Sequence, residues 1–161
     1  MQKIIVNSTP MIILSKIGML SIMHRLFGEI IIPQAVYDEI TCKSDVIRKI
    51  IHDNRWIKVS KISSNIDRSL YKSKLHDGEV EVMILAQEMN ADILAIIDDN
   101  AAKKTAKYLG INVIGTLGVL VMAKKRGYLG SIQKVIQLMK HYGFYVSTQV
   151  EEQVLKAGGE L

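Results

Sequence analysis

Short, uninterrupted apolar runs, each followed by a stretch of helical character, constrain this chain more than any other feature. KIIV (3–6), EIII (29–32), ILAII (93–97) and INVI (111–114) lack the polar/apolar alternation of a strand wetted on one face. Strands of that kind are covered on both faces, as in parallel sheets. The intervening segments fit helices. Asn7 to Pro10 reads as a turn into a helix, MLSIMHRLF ends at Gly28, and Pro33 suits the first turn of PQAVYDEI. Ser44 caps SDVIRKIIHD, and WIKVSKI is a further strand. The polar, basic stretch from Ser60 to His76 has no clear period and reads as a loop or loose helix.

The second half alternates regularly. A helix from Glu79 to Met89 precedes the strand Ile93 to Ile97, and a helix from Ala101 to Leu109, closed by Gly110, precedes the strand Ile111 to Ile114. A helix from Leu117 follows, then two closing helices, Ser131 to His141 and Thr148 to Lys156; Thr148 with Glu151 forms a capping-box pattern at the last. Strand and helix in turn imply an α/β chain, a three-layer α/β/α sandwich on a central parallel sheet. A length of 161 residues and 48% hydrophobic content fit one domain with one core, spanning 1–161.

The formal charge of +5 and a pI near 9.3 favour polyanionic partners such as nucleic acid. Cys42 is the one cysteine, so an internal disulfide or thiolate zinc cluster is excluded, in keeping with a reducing cytoplasm. The apolar opening is broken by Asn7, Ser8, Thr9 and Pro10, which fits neither a signal peptide nor a membrane span. The eight methionines are scattered at core-like positions.

Several carboxylates fall where a helix should be apolar. At 100° per residue, Glu81 and Glu88 lie on the polar stripe of DGEVEVMILAQEM, whereas Glu79 shares its side with Val82, Met83 and Ala86. In PQAVYDEI, Asp38 faces away from Val36 and Ile40 while Glu39 lies beside them. Burying an unpaired carboxylate costs several kcal/mol, so an inward one calls for a cation, a raised pKa or a metal. A salt bridge or an edge position is the competing reading of each glutamate alone. Asp98 and Asp99 end a parallel strand, where open α/β sheets bind ligands, and Asn7 ends the first strand on the same side.

Asn7, Glu39, Glu79 and Asp99 are thus expected to converge. Three carboxylates about 5 Å apart would repel by roughly 3 kcal/mol per pair at an effective dielectric of 20, so a cation must sit between them. His24, His52, His76 and His141 have no ligand-like spacing, and an all-oxygen donor set favours Mg²⁺ or Mn²⁺ over zinc. Of the paired aspartates, one is expected to cap the following helix and Asp99 to bind the metal. In the competing reading both are exposed and one merely caps.

In order along the chain, NSTPMIILSKIG, IIPQAVYDEI, DGEVEVMILA, IIDDNAAKKTAKYLG and VIGTLGVLVMAKKRG resemble the PIN-domain family, which includes VapC-type toxins. The resemblance implies an α/β/α fold whose acidic residues gather Mg²⁺ or Mn²⁺ to hydrolyse RNA. Carried over block by block, the acidic positions fall on Asn7, Glu39, Glu79 and Asp99, with Asp98 as a neighbouring ligand. Thr9 matches the hydroxyl residue near the first acidic position. Asn7 departs from the pattern, because an asparagine offers a neutral carbonyl oxygen where an aspartate would bring a charge.

The leading expectation is a metal-dependent ribonuclease. Lys103, Lys104 and Lys107, on the outward stripe of the helix after Asp99, are candidates for gripping the substrate, with AKKRG and YKSK as further ones; solvated surface lysine is the competing reading. One rival is a binding module, degraded at Asn7, that holds RNA or a protein without cutting it. A second, from the VapC likeness, is a toxin masked by an antitoxin protein. A nucleotide-binding protein fits least, since GINVIGTLG follows neither phosphate-loop pattern. The C-terminal helices offer a surface for a homodimer.

Overall fold

The computed structural model describes residues 2–63, 75–89 and 91–161. Five strands, β1 (Lys3–Val6), β2 (Ile30–Pro33), β3 (Ile57–Ser60), β4 (Ile93–Ile96) and β5 (Asn112–Ile114), form one parallel sheet in the order β3-β2-β1-β4-β5. Every residue of β2 and β4 is buried, whichever face it points to, so helices lie on both faces. α1 (Ser8–Lys16), α3 (Gln34–Cys42), α4 (Asp45–Asp53) and α5 (Asp77–Glu88) form one packed group. α2 (Ser21–Phe27) packs on α7 (Thr116–Lys125), which carries α8 (Ile132–His141) and α9 (Thr148–Ala157), while α6 (Asn100–Tyr108) lies on β5. The α/β/α architecture expected from the apolar runs is the one observed. Most of the polar stretch before α5 lies outside the described residues.

The topology sets where a site can form. From β1 the chain winds outward to β2 and β3, and from β4 it winds the other way to β5. The carboxyl ends of β1 and β4 therefore flank the switch point, where the crossovers diverge and leave a crevice. Val6 pairs with Ile96, and the Asn7 amide donates to the Ile96 carbonyl, so Asn7, Asp98 and Asp99 leave the sheet side by side.

Two local readings need correction. Ser8, Thr9 and Pro10 already belong to α1, because a proline in a first turn removes an N–H that has no helical partner. The last helix is capped by Ser147, whose side chain accepts from the Val150 amide, and Glu151 turns instead to Lys140 at 2.6 Å. Ser44 caps α4 as expected, accepting from Ile47 N.

The chain end is secured by one carboxylate. Glu160 accepts from the amides of Ile132 and Gln133 at the start of α8, from Ser131 Oγ, and from Lys124 Nζ at 3.1 Å. Burial alone would raise its pKa, but the two amides and the ammonium outweigh it and hold the carboxyl below its ordinary value. A lowered folded pKa means stability that is full above 4.5 and lost as pH falls through the folded value. Glu160→Ala should cost about 1–2 kcal/mol at neutral pH, as for a lost helix cap, and should flatten the acid limb of thermal melts.

Candidate metal centre

Asn7 ends β1 and precedes α1. It is 5% exposed, and its Oδ1 is a buried acceptor with no hydrogen-bond partner. Such an atom is uncommon in a folded protein and marks a place where a donor or cation belongs.

Glu79 lies in the first turn of α5 and is 6% exposed, inward as the helical spacing required. Its Oε1 accepts from the His76 amide at 2.9 Å, and the His76 ring accepts from the Glu79 amide, a reciprocal cap. Burial raises the Glu79 pKa. The His76 amide and imidazole oppose this, while Asp99 adds to it through its charge and a side-chain hydrogen bond. Glu79 and Asp99 are thus held together as a pair of acids, one from the start of a helix and one from the end of β4.

The two aspartates divide the work differently from the expectation. Asp99 is itself the helix cap, its Oδ2 accepting from Ala102 N at 2.9 Å, and it also faces Glu79. Asp98 closes the start of α7, with Oδ1 accepting from Thr116 N at 2.8 Å and Oδ2 from Thr116 Oγ1 at 2.6 Å. Both Asp98 oxygens are occupied by a residue 18 positions away, so each aspartate secures a different helix.

Glu39 also departs from its expected place. It is exposed, at the rim of a cleft of about 430 Å³ lined by Ala35, Asp38, Glu39, His76, Asp77 and Gly78. Its Oε2 accepts from Ser8 Oγ at 2.8 Å. A Cβ on Gly78 would stand 3.1 Å from that same oxygen and 3.2 Å from Val36 Cγ2, so any larger residue would push Glu39 and Val36 aside by a few tenths of an ångström where α5 meets α3. Ser8 and Gly78 were not anticipated, although a glycine inside DGEVEVMILA, where a helix disfavours it, was the available signal. Thr9 is exposed and lines a groove with Ile12, Lys16 and Tyr142, while its neighbour Ser8 makes the carboxylate contact.

Glu81 is 7% exposed, not on a wetted stripe, because α3 covers that side of α5 and the Ala35 amide donates to Glu81 Oε1 at 2.9 Å. Lys103 is half-buried: its Nζ and Asp98 Oδ1 both lie within 3.0 Å of where a Cβ on Gly115 would sit. Lys104 and Lys107 are exposed as expected. Of AKKRG, Lys124 is engaged by Glu160 and the Gly130 carbonyl, and YKSK lies outside the described residues.

Among the described residues, no three Asp, Glu, His or Cys side chains gather closely enough to form a metal cage. The expected four-residue cluster is resolved into a Glu79–Asp99 pair beside Asn7 and a Glu39–Ser8 pair at the cleft. A carboxylate leaves its like-charged neighbours when a local donor can hold it, and here the Ser8 hydroxyl holds Glu39 at the rim. The donor set fits a hard divalent cation: the buried Glu79 carboxylate facing that of Asp99, an orphaned amide oxygen and a third carboxylate at the rim, all oxygen.

A solved PilT N-terminus domain protein from the hyperthermophilic archaeon Sulfolobus solfataricus P2 has a similar structure, with a TM-score of 0.52 and 22% sequence identity over 76% of this chain and 93% of that one. That likeness shows the fold. No curated protein sequence is significantly similar to this chain. Among the described residues no helix is long and apolar enough to cross a membrane. A PIN-domain family model matches residues 3–160, nearly the whole length. The parallel sheet with its switch point, the acids gathered there and this match together establish that the chain belongs to the PIN-domain family, whose members are generally nucleases dependent on divalent metal ions.

Proposed function

We propose that the protein is a ribonuclease that hydrolyses RNA phosphodiesters with Mg²⁺ or Mn²⁺ held by Glu79, Asp99 and Asn7 Oδ1, and with Glu39 at the rim. The observation that carries this reading is the buried, unpartnered Asn7 Oδ1 at the end of β1, with two mutually repelling acids delivered by the end of β4 and the start of α5. When bound, the ion supplies charge to polarise the phosphodiester and to lower the pKa of the attacking water. Glu79 binds the ion as a carboxylate, and its raised pKa means that this form is reached at a higher pH than for an ordinary glutamate. Ser8 steadies Glu39 in the open cleft, so its other oxygen can orient a water. Lys104 and Lys107 supply positive charge along the approach to Asp99.

The test is cleavage of a fluorophore-quencher RNA in Mn²⁺, expected in the wild type, abolished by chelator and reduced about 10²- to 10³-fold in Asp99→Asn. Undiminished cleavage by that variant would refute the assignment. The second reading, a module that binds RNA or a protein without cutting, is favoured by the neutral Asn7; RNA binding that persists in chelator, with no cleavage in any divalent ion, would establish it. An antitoxin partner and a homodimer formed through α8 and α9, where Leu138 and Val150 are exposed, are further proposals. Co-purification with the product of a neighbouring short reading frame tests the first, and sedimentation velocity the second.

A further inference from the structure

Helix α6 begins at the acidic pair and leads away from it. Asp99 caps it, and at 1.5 Å per residue Lys104 lies about 7.5 Å and Tyr108 about 13.5 Å farther along its axis. The helix carries Lys103, Lys104 and Lys107 and no acidic residue. Ala102 and Ala106 face the core, and the opposite side presents Asn100, Lys104, Lys107 and Tyr108 to solvent.

Tyr108 is 89% exposed, the most open of the large hydrophobic residues among those described. Neither its hydroxyl nor the Lys104 ammonium is engaged by a hydrogen bond or ion pair among the described residues. Between them is a shallow depression of about 400 Å³ lined by Ala101, Lys104, Thr105 and Tyr108. A cation, small residues and an unpaired aromatic ring, in line from an acidic centre, match the alternating needs of a nucleic-acid strand. The cation suits a phosphate, and the ring suits the face of an unstacked base.

We propose that the outer face of α6 carries single-stranded RNA away from the acidic centre, with Lys104 on a phosphate and the Tyr108 ring stacked against a base. This track rests on the ribonuclease reading and adds to it the helix face, with Lys104 and Tyr108, along which the strand lies. A duplex keeps its bases stacked on one another, so Tyr108 has no base face to meet there.

The test measures binding of a short fluorescent RNA homopolymer by anisotropy in chelator, and of a duplex of equal length, with cleavage kinetics in Mn²⁺ alongside. Tyr108→Ala should weaken single-strand binding about 5- to 100-fold and raise KM correspondingly, leaving kcat and duplex binding unchanged, and Tyr108→Phe should match the wild type. Lys104→Ala should reduce the log–log salt slope by about 0.7. A wild type that binds and cleaves, with Tyr108→Ala indistinguishable from it, overturns the track alone, including the case in which a protein partner covers Tyr108. A wild type that neither binds nor cleaves RNA overturns the ribonuclease reading and the track together. Equal losses on single strand and duplex overturn the stacking role, because simple charge or shape would then account for both.

Discussion

Asp99→Asn is expected to weaken divalent-cation binding sharply and to reduce RNA cleavage about 10²- to 10³-fold while leaving the protein as stable as the wild type in chelator, or more so. Three effects separate cleanly at this position. Asparagine caps a helix about as effectively as aspartate, so the bond to Ala102 N survives the change. The charge facing Glu79 disappears, and with it one of the causes of the raised Glu79 pKa, though the larger one, burial, remains. Relief of that repulsion stabilises the variant by much less than the roughly 3 kcal/mol of two full charges 5 Å apart, because Asp99 is exposed and solvent screens its charge.

The pH dependence follows with a definite sign. Glu79 has a folded pKa above its ordinary 4.5, so the folded state binds the proton more tightly than the unfolded chain. Stability is then full below 4.5 and declines as pH climbs from there through the folded value. The variant should decline less over that window. Mn²⁺ competes with the same proton, so its stabilisation of the wild type should grow from about pH 5 to pH 8, reaching about 2.7 kcal/mol at a hundredfold excess over Kd. Thermal melts of both proteins, with chelator and with Mn²⁺ at the two pH values, resolve all three effects. A variant that is destabilised in chelator yet still stabilised by Mn²⁺ would place the ion elsewhere.

What the sequence made legible follows the range of the interactions involved. The strands were readable because burial on both faces leaves a run of apolar residues with no polar break, and Ser44 was readable because a cap acts within one turn of its own helix. Glu79 was assigned to the inner side correctly, since its neighbours are set by the spacing of one helix. Glu81 failed for the complementary reason. Its amide partner, Ala35, comes from a different helix 46 residues away, and no periodicity within α5 reports that α3 covers it.

The paired aspartates show the same boundary. That one of them caps α6 was a local inference and holds for Asp99. That the other reaches across to Thr116 depends on β5 returning the chain beside β4, which only the tertiary fold decides. Glu39 was expected inside because Val36 and Ile40 are; the fold leaves it at the rim, restrained by Ser8 and the bare backbone of Gly78. The donors that hold a carboxylate in place are less visible in sequence than the carboxylate, because a hydroxyl or an amide has many other reasons to be present.

Asn7→Asp should move metal affinity and metal-free stability in opposite directions, and by more than any surface change. The side chain is nearly fully enclosed and its Oδ1 lacks a donor, so an aspartate there would bury a carboxylate with no local compensation. It would also stand at the strand end next to the one carrying Asp99, in sheets where neighbouring strands run about 4.8 Å apart. In chelator the variant should therefore lose about 1–3 kcal/mol at neutral pH, a loss that shrinks on acidification as the new carboxyl protonates. In Mn²⁺ the added anion becomes a ligand where the wild type offers a neutral oxygen, and calorimetry should show binding about 10- to 100-fold tighter. Three outcomes discriminate. Tighter binding in the variant over measurable binding in the wild type places Asn7 in the coordination sphere of a working centre. Binding by the variant alone means that the wild-type chain keeps a nuclease fold for holding RNA or a partner, with the charge needed for the ion removed at one position. Unchanged binding removes Asn7 from the centre and leaves its unpartnered oxygen to be explained by Ser8 and the start of α1.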